Sequence, residues 1–502
     1  MGITIVGLGP GNGRFLTRQA WDLLTTAEAV YLRTSRHPAV ADLPPHLRLE
    51  SFDHVYETAE AFTAVYATIV STLLALGRAG EVLYAVPGHP LVGEATVTQL
   101  LEAARAQGIP TRLVAGLSFV EPTLTAVGVD ALDGLQIFDA LALGDYHYPP
   151  LNVNAPLLLG QVYSRLAASQ LKLALMAVYP DEHGVFLVHA AGEADEQVEA
   201  LPLYAIDRSA QINHLTSLYA PPLPVGASLP ALAETVAMLR SPQGCPWDQE
   251  QTPQSMRVGF LEEAYEALEA LDADDPLSLC EELGDLLYHL VMQAQMASEA
   301  GEFSLTDVIA GIEAKLKRRH PHVWGDWQAP DTAAVLRNWE LLKQAEKGAE
   351  PGATPNSLLD SIPEALPALA RSQKIQSRVG KVGFDWPGLA GVFGKLHEEL
   401  AELQQAASPA ERQAELGDVL FTVVNVARWL GVDAESALRE ANLRFARRFR
   451  IVEQLVAERG RDWQALDLAA LDKLWEEAKS SLANDEAPVK VGDLVSGVRH
   501  AE

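Results

Sequence analysis

A pair of acidic patterns that occurs twice in the C-terminal half constrains this chain of 502 residues more than any other feature. Each copy contains Glu-Glu-x-x-Glu followed by Glu-x-x-Asp, and both copies later carry two adjacent arginines. Because chance clustering of charge would not preserve the order of three blocks, the pattern indicates an internal duplication. The acids are Glu263, Glu266, Glu282 and Asp285 in the first copy, and Glu399, Glu402, Glu415 and Asp418 in the second.

Apolar residues at helical spacing accompany the acids, such as Leu416, Leu420 and Val423 in the second copy. Carboxylates three residues apart lie on one face of a helix, so each acidic pair forms a face with two oxygen donors. Two such helices packed antiparallel would bring four carboxylates together. One isolated pattern is ordinarily a solvated acidic face. Its recurrence favours a binding site, because clustered buried acids must be paired with cations or bind metal.

The composition of this proposed site predicts the metal. Oxygen ligands without cysteine or histidine suit Mg²⁺, with Mn²⁺ as an alternative, and Mg²⁺ usually binds substrate phosphates together with protein carboxylates. A di-iron helical bundle would need Glu-x-x-His pairs. In this sequence Asp285 is followed by His289 at four residues, and Asp418 has no histidine nearby. The pattern therefore predicts a magnesium site for a substrate that carries phosphates.

With these acids, residues 232–479 resemble the MazG-type nucleoside triphosphate pyrophosphohydrolases in their two-domain form. The resemblance implies hydrolysis of nucleoside triphosphates between the α and β phosphorus atoms, which yields a monophosphate and pyrophosphate. It also implies that Glu399, Glu402, Glu415 and Asp418 are metal ligands and catalytic residues, and that the first-copy acids form a second metal site. Further matching motifs are 244–248, 317–323, 374–378 and 383–386.

The two copies differ in the residues that the resemblance assigns to substrate binding. The second copy has Asn442 and Arg444 where the first has Glu313 and Lys315. An acid near a polyphosphate is repulsive at close range, so we expect the second copy to be the main catalyst. The resemblance also assigns phosphate contacts to Lys374 and Arg378. For the aromatic residues Phe384 and Trp386 we expect apolar core rather than stacking on a base.

The N-terminal segment predicts an α/β domain, because the apolar run Ile3–Val6 leads into a glycine turn and then into helical spacing over 17–29. A dinucleotide-binding fingerprint would need a third glycine and an acid at the end of the second strand. Here Asn12 replaces that glycine, and the segment 30–33 ends in Arg33. A nicotinamide cofactor is therefore disfavoured.

Three loops that follow predicted strands resemble those of the tetrapyrrole-methylase superfamily, the class III S-adenosylmethionine methyltransferases, over residues 1–212. The strands are 3–6, 82–86 and 112–114. The resemblance implies two α/β subdomains with S-adenosylmethionine bound between them and an unidentified methyl acceptor. It departs from the family at His89, where aspartate is common, and at Ala115, where proline is usual. The cofactor-binding residues that it implies are Gly9, Pro10, Gly88, His89, Val92, Ser118 and Phe119.

The complete order of segments resembles the bacterial YabN-type fusion proteins. The predicted fold is multidomain, with an N-terminal α/β tetrapyrrole-methylase-like domain of two subdomains followed by two all-α MazG-like helical bundles. Proline- and glycine-rich stretches mark the linkers. The predicted boundaries are 1–212 for the methylase-like domain, 213–230 for a linker, 231–347 for the first helical domain, 348–357 for a second linker, 358–482 for the second helical domain and 483–502 for a flexible tail.

Charge and composition exclude several classes of function. A net charge of −29 argues against a stable, sequence-independent grip on nucleic acid. The chain has two cysteines, Cys245 and Cys280, without a metal-binding spacing, and a reduced cytoplasmic location is the simplest expectation. No apolar stretch is long enough to span a membrane. Because isolated helical bundles would expose apolar faces, we expect a homo-oligomer, most simply a dimer.

Three hypotheses of different classes follow from the sequence. The first is a bifunctional enzyme whose C-terminal half hydrolyses nucleoside triphosphates with Mg²⁺, alongside a methyltransferase domain. The second is primarily a methyltransferase whose helical half regulates or oligomerises it. The third is a non-enzymatic scaffold, for which neutralising the acids would leave stability unchanged or improved and would not affect turnover.

Overall fold

The computed structural model describes residues 1–58, 62–348, 357–360 and 362–485. The chain folds into two compact units, Met1–Ala264 with Glu282–Val308 and Tyr265–Glu281 with Ile309–Glu502. Most of the predicted linker at 348–357 and of the predicted tail at 483–502 lies outside the described residues. In the described part of the chain, every helix is too short or too polar to cross a bilayer.

A five-stranded parallel sheet opens the first unit, with the order β3-β2-β4-β1-β5. Parallel sheets are covered on both faces, and β1 shows this directly, because Ile3 and Ile5 belong to one apolar cluster and Val6 to another. The three strands predicted from the sequence are confirmed as β1, β4 and β5. The strands are β1 (Gly2–Gly7), β2 (Ala29–Leu32), β3 (Arg48–Ser51), β4 (Glu81–Val86) and β5 (Thr111–Val114).

A second, mixed sheet has the order β6-β7-β10-β8-β9, in which β6 and β7 are parallel and the other pairs antiparallel. Its central strand, Thr216–Ala220, is buried throughout. The prediction that 213–230 is a linker is therefore wrong for this strand. The segment is short and precedes a proline-rich stretch, so its pairing with two distant strands has no local signal. The strands are β6 (Gln136–Asp139), β7 (Leu157–Gly160), β8 (Gly184–His189), β9 (Gln197–Pro202) and β10 (Thr216–Ala220).

Seven helices accompany the two sheets in the described residues. The predicted helix over 17–29 is confirmed as α1, which begins after Thr17, whose hydroxyl accepts the amide hydrogen of Ala20. It ends before β2 starts at Ala29. The helices are α1 (Arg18–Thr26), α2 (Asp53–Thr58), α3 (Phe62–Ala79), α4 (Ala95–Ala106), α5 (Val120–Val127), α6 (Ala140–Gly144) and α7 (Arg165–Leu175).

The rest of the described chain is helical, which confirms the predicted fold class of an α/β region followed by an all-α region. Helix α17 shows how the sequence sets a helix start, because Ser408 and Glu411 form a capping box around Pro409. The helices are α8 (Leu229–Arg240), α9 (Pro246–Glu250), α10 (Arg257–Asp272), α11 (Pro276–Glu299), α12 (Leu305–Arg319), α13 (Pro321–Trp324), α14 (Thr332–Gly348), α15 (Ala368–Gly380), α16 (Leu389–Gln405), α17 (Pro409–Trp429), α18 (Ala434–Glu458) and α19 (Leu468–Asp485).

The two sequence repeats are organised differently. The second repeat lies within one unit, where α16 packs along α17, and α15 and α18 contact the same bundle. The first repeat, predicted as one domain over 231–347, is divided between both units. Both repeats leave an apolar stripe exposed at the same spacing in the sequence. The stripes consist of Leu283, Leu287 and Leu290 on α11, and of Leu416, Leu420 and Val423 on α17.

Candidate functional site

The acidic residues of the second repeat converge between two packed helices. One carboxylate oxygen from each of Glu399 and Glu402 on α16 and Glu415 on α17 lies within 4.8 Å of the other two. Glu399 is buried, Glu415 is half-buried and Glu402 is exposed. Asp418 lies one turn farther along α17, is exposed, and is not among these three acids. The structure thus brings together three of the four predicted ligands.

The electrostatics of this group favour a cation. Desolvation raises the pKa of the Glu415 carboxyl, and repulsion from Glu402, Asp418 and Glu399 raises this pKa further, while Lys395 opposes the change. Like charges held at this separation resist full ionisation unless a positive charge joins them. A hard divalent cation such as Mg²⁺ suits these carboxylate oxygens, because it binds them and would neutralise the repulsion between their charges.

Lys395 belongs to the site, although the sequence reasoning missed it. Its Nζ lies 2.9 Å from an oxygen of Glu399 and 2.9 Å from an oxygen of Glu398. These hydrogen bonds, chiefly that to Glu399, raise the pKa of Lys395. The sequence signal was present, because a lysine four residues before a glutamate pairs with it on a helix. A metal ion bound at Glu399 would compete with this ammonium group.

The four residues predicted to bind substrate lie on two other helices of the bundle. Lys374 and Arg378 are on α15, where Lys374 is exposed and Arg378 Nη1 donates to the Leu358 carbonyl at 3.1 Å. Asn442 and Arg444 are exposed on α18, and Arg444 also lies 3.5 Å from Glu440, one turn away. Their role in phosphate binding stays a prediction.

Within the motif 374–378, the deeply buried residue is Gln376. Its side-chain amide donates to the Phe421 carbonyl at 2.7 Å and fastens α15 to α17, which carries Glu415.

The later motif around Asp385 behaves differently from our prediction. Phe384 is 80% exposed and Trp386 is also exposed, so the expectation of apolar core is wrong. The loop is held instead by Asp385, which accepts hydrogen bonds from Arg428 and Trp429.

The first repeat keeps part of the same arrangement. Glu263 on α10 and Glu282 on α11 present carboxylate oxygens within 4.8 Å of each other. Glu266 lies one turn farther along α10, and Asp285 is exposed on α11. His289, one turn after Asp285, is buried, and desolvation lowers the pKa of its imidazole. That these acids form a second metal site stays a prediction.

The first unit contains a cavity of about 580 Å³ at the loops that follow its strands. Its lining includes four of the predicted cofactor residues: Pro10, Gly88, Val92 and Phe119. Glycine is required where the loops meet, because a Cβ atom on Gly116 would lie 2.3 Å from the Gly88 carbonyl oxygen. The absence of side chains at these glycines lets the loops pack directly on each other beside the cavity. A cavity of this volume suits a ligand of nucleoside size.

Three predicted cofactor residues lie in the same loops without being among the cavity's lining residues. Gly9 pairs with Gly88 through two backbone hydrogen bonds, of 3.2 and 2.7 Å. Nδ1 of His89 accepts the Leu91 amide hydrogen at 3.0 Å, as an aspartate side chain does in a tight turn. The Ser118 hydroxyl donates to Glu121 at 2.7 Å. Their polar groups shape the loops, and their contact with a cofactor stays a prediction.

Two residues on the wall of this cavity have unusual backbone conformations. Gln161 and Ala190 have φ angles of +65° and +48°, and both line the cavity. They follow the carboxyl ends of β7 and β8. Left-handed conformations cost energy in residues other than glycine and cluster at ligand-binding sites. Strain at these two positions is typical of a wall that contacts a ligand.

Comparison with known proteins finds related families for both regions of the chain. The family of tetrapyrrole (corrin/porphyrin) methylases matches residues 2–207, and the MazG nucleotide pyrophosphohydrolase domain matches residues 251–324, within the first repeat. The uncharacterized protein YabN of Bacillus subtilis (strain 168) is 40% identical over 488 residues, which cover 95% of this chain and 98% of that protein. The chain belongs to the YabN family.

Relatives of the C-terminal half have named activities. The nucleoside triphosphate pyrophosphohydrolase of Escherichia coli (strain K12) is 46% identical over 247 residues, covering 48% of this chain and 93% of that protein. The nucleoside triphosphate pyrophosphohydrolase/pyrophosphatase MazG of Thermotoga maritima is 42% identical over 248 residues, covering 49% of this chain and 94% of that protein. The C-terminal half is therefore homologous to nucleoside triphosphate pyrophosphohydrolases, and a tetrapyrrole-methylase domain precedes it.

Proposed function

We propose that the C-terminal half hydrolyses nucleoside triphosphates to nucleoside monophosphates and pyrophosphate with Mg²⁺, or Mn²⁺, at the second repeat. The observation that carries the proposal is the group of three carboxylates from Glu399, Glu402 and Glu415, held within 4.8 Å. Homology of this half to nucleoside triphosphate pyrophosphohydrolases supports it.

The four acids then divide into two roles. When bound, a divalent ion would supply the charge that neutralises the phosphates and would make a coordinated water more acidic. Glu399, Glu402 and Glu415 would hold the ion, and Glu399, which is buried and contacts Lys395, fixes the inner edge of the site. Asp418 lies outside this group but close enough to raise the pKa of Glu415. We assign Asp418 to the attacking water, whose proton its carboxylate would accept.

The decisive experiment uses the full chain with Mg²⁺ and a set of nucleoside triphosphates, and identifies both products. We expect a monophosphate and pyrophosphate, and release of orthophosphate would refute the proposed bond cleavage. Glu415→Gln is expected to abolish turnover, whereas the matched first-repeat variant Glu282→Gln spares most of it. The reverse pattern would assign catalysis to the first repeat. Equal activity of both variants and the wild type would show that neither acid is catalytic, as the scaffold hypothesis requires of the acids.

A second candidate function resides in the N-terminal region. We infer that its cavity binds S-adenosylmethionine, which would supply a methyl group to an acceptor that the structure does not identify. The cavity volume, the close approach of Gly88 to Gly116, and the strained residues Gln161 and Ala190 support this inference. Calorimetric titration of the full chain with S-adenosylhomocysteine tests it, and a complete lack of binding would remove this function.

A further inference from the structure

Glu94 is a buried carboxylate in the wall of the N-terminal cavity. It immediately precedes α4, yet its side chain makes no capping hydrogen bond to that helix. The residue is 9% exposed. Acidic residues are rarely buried this far unless they are paired or bind a ligand. The position of Glu94 therefore needs an explanation beyond helix capping.

Arg33 holds this carboxylate in place from the end of β2. Its Nη1 donates to Oε2 of Glu94, and its Nε donates to the Tyr56 hydroxyl at 2.9 Å. The Thr96 hydroxyl donates to the same Glu94 oxygen at 3.2 Å. The guanidinium carbon also lies 5.9 and 5.4 Å from the ring centroids of Tyr56 and Tyr66. These contacts fix Oε2 and leave the orientation of Glu94 well defined.

The order of strands explains why an acid is placed here. Strands β1, β2 and β4 are parallel neighbours, so their carboxyl ends meet at one edge of the sheet. In dinucleotide-binding folds, an acid near the end of the second strand accepts a hydrogen bond from a ribose hydroxyl. Arg33 occupies that region here, but its partner Glu94 supplies a carboxylate from the loop after β4. Arg33, the basic residue that argues against a nicotinamide cofactor, thus positions the carboxylate of Glu94 in the cavity.

The chemistry of a nucleoside ligand suits this acid. Ribose hydroxyls donate hydrogen bonds, and an ionised carboxylate only accepts them. The cavity of about 580 Å³ has room for one ligand of this size, and Phe119 and Pro122 give it apolar walls. We propose that Glu94 binds the ribose of S-adenosylmethionine, through the oxygen that Arg33 does not hold. This inference rests on the proposed binding of that cofactor in the same cavity.

Calorimetry of the full chain tests the inference with S-adenosylhomocysteine and its 2′-deoxy and 3′-deoxy analogues. On the wild type, at least one analogue is expected to bind roughly tenfold to a hundredfold more weakly, because it lacks a hydrogen bond to a charged group. Glu94→Gln should weaken the binding of S-adenosylhomocysteine by roughly tenfold. The same variant should weaken binding of the affected analogue much less, because that analogue already lacks the hydroxyl that would contact Glu94.

The matched control is Glu50→Gln, which removes an exposed acid next to Arg48, away from the cavity lining, and should leave every affinity unchanged. Equal affinity of the wild type for all three ligands would overturn the ribose contact, even if Glu94→Gln does not fold. A twofold or smaller change in Glu94→Gln for S-adenosylhomocysteine would overturn it as well, while leaving the cofactor cavity supported. Failure of the wild type to bind S-adenosylhomocysteine at all would overturn both the inference and the proposed methyltransferase function.

Discussion

Replacing Arg33 by methionine should destabilise the N-terminal unit strongly. Methionine keeps much of the length of the side chain and removes the charge that neutralises Glu94. In the wild type both side chains are largely removed from solvent, with 15% of Arg33 and 7% of Glu94 exposed. Arg33→Met therefore leaves a buried carboxylate without its main partner.

The expected magnitude follows from this burial. Removing one partner of a buried ion pair costs about 3–5 kcal/mol, because the remaining charge stays desolvated. For a unit of this size, each kcal/mol lowers the melting temperature by about 2–4 °C. The variant should therefore melt roughly 6–20 °C below the wild type. Arg36→Met is the matched control, because Arg36 pairs with Glu57 at 3.4 Å and their side chains are 77% and 64% exposed.

The loss of stability in Arg33→Met relative to the wild type should also depend on pH. Burial raises the pKa of Glu94, and Arg33 opposes that change. Without Arg33, the pKa of Glu94 rises further, so the folded variant takes up a proton at a higher pH than the unfolded chain does. A folded state that binds the proton more tightly gains stability as pH falls. The difference between variant and wild type should be largest near neutral pH and should shrink towards acidic pH.

Differential scanning calorimetry of the full-length proteins between acidic and neutral pH measures the loss of melting temperature and its dependence on pH. The unfolding transition of the N-terminal unit is followed in the wild type and in both variants. The control should stay close to the wild type at every pH, because exposed ion pairs contribute about 0–1 kcal/mol. A melting temperature for Arg33→Met that matches the control would refute the argument. A large deficit that does not change with pH would show that lost packing, rather than the unpaired acid, is the cause.

Three further predictions concern the two sites and the assembly. Asp418→Asn should reduce turnover strongly and weaken Mn²⁺ binding, measured by paramagnetic resonance, less than Glu415→Gln does, because Asp418 lies outside the three-oxygen group. Gly116→Ala should abolish S-adenosylhomocysteine binding in calorimetry, because the added methyl group meets backbone 2.3 Å away, while Gly80→Ala, which meets no atom within 4 Å, should not. Leu420→Glu should lower the molar mass measured by light scattering, because it places a charge in the exposed stripe of α17.

Each of these three predictions would be refuted by a specific result. Equal loss of Mn²⁺ affinity in the two acidic variants would make Asp418 a metal ligand rather than the acceptor of a proton from water. Normal ligand binding by Gly116→Ala would show that the loops can separate without closing the cavity. A monomeric wild type would refute the predicted homodimer, and an unchanged mass for Leu420→Glu would place the interface on another surface.

The sequence alone determined the features that depend on local periodicity. A spacing of three residues placed Glu399 and Glu402 on one helical face, and apolar runs before glycine turns located β1 and β4. A capping box fixed the start of α17 at Ser408. These signals survive folding because they arise from neighbours along the chain, whose geometry is set by the helix or strand itself.

Tertiary structure decided the features that depend on distant neighbours. Strand β10 has no strong pattern of its own and exists because β7 and β8 pair with it. Arg33 looked like a residue at the end of a strand, and only the parallel sheet reveals that it positions Glu94 in a cavity. Phe384 seemed suited to a core, but the Asp385–Arg428 pair holds its loop at the surface. Burial and pairing are properties of the assembled fold, so a single stretch of sequence does not contain them.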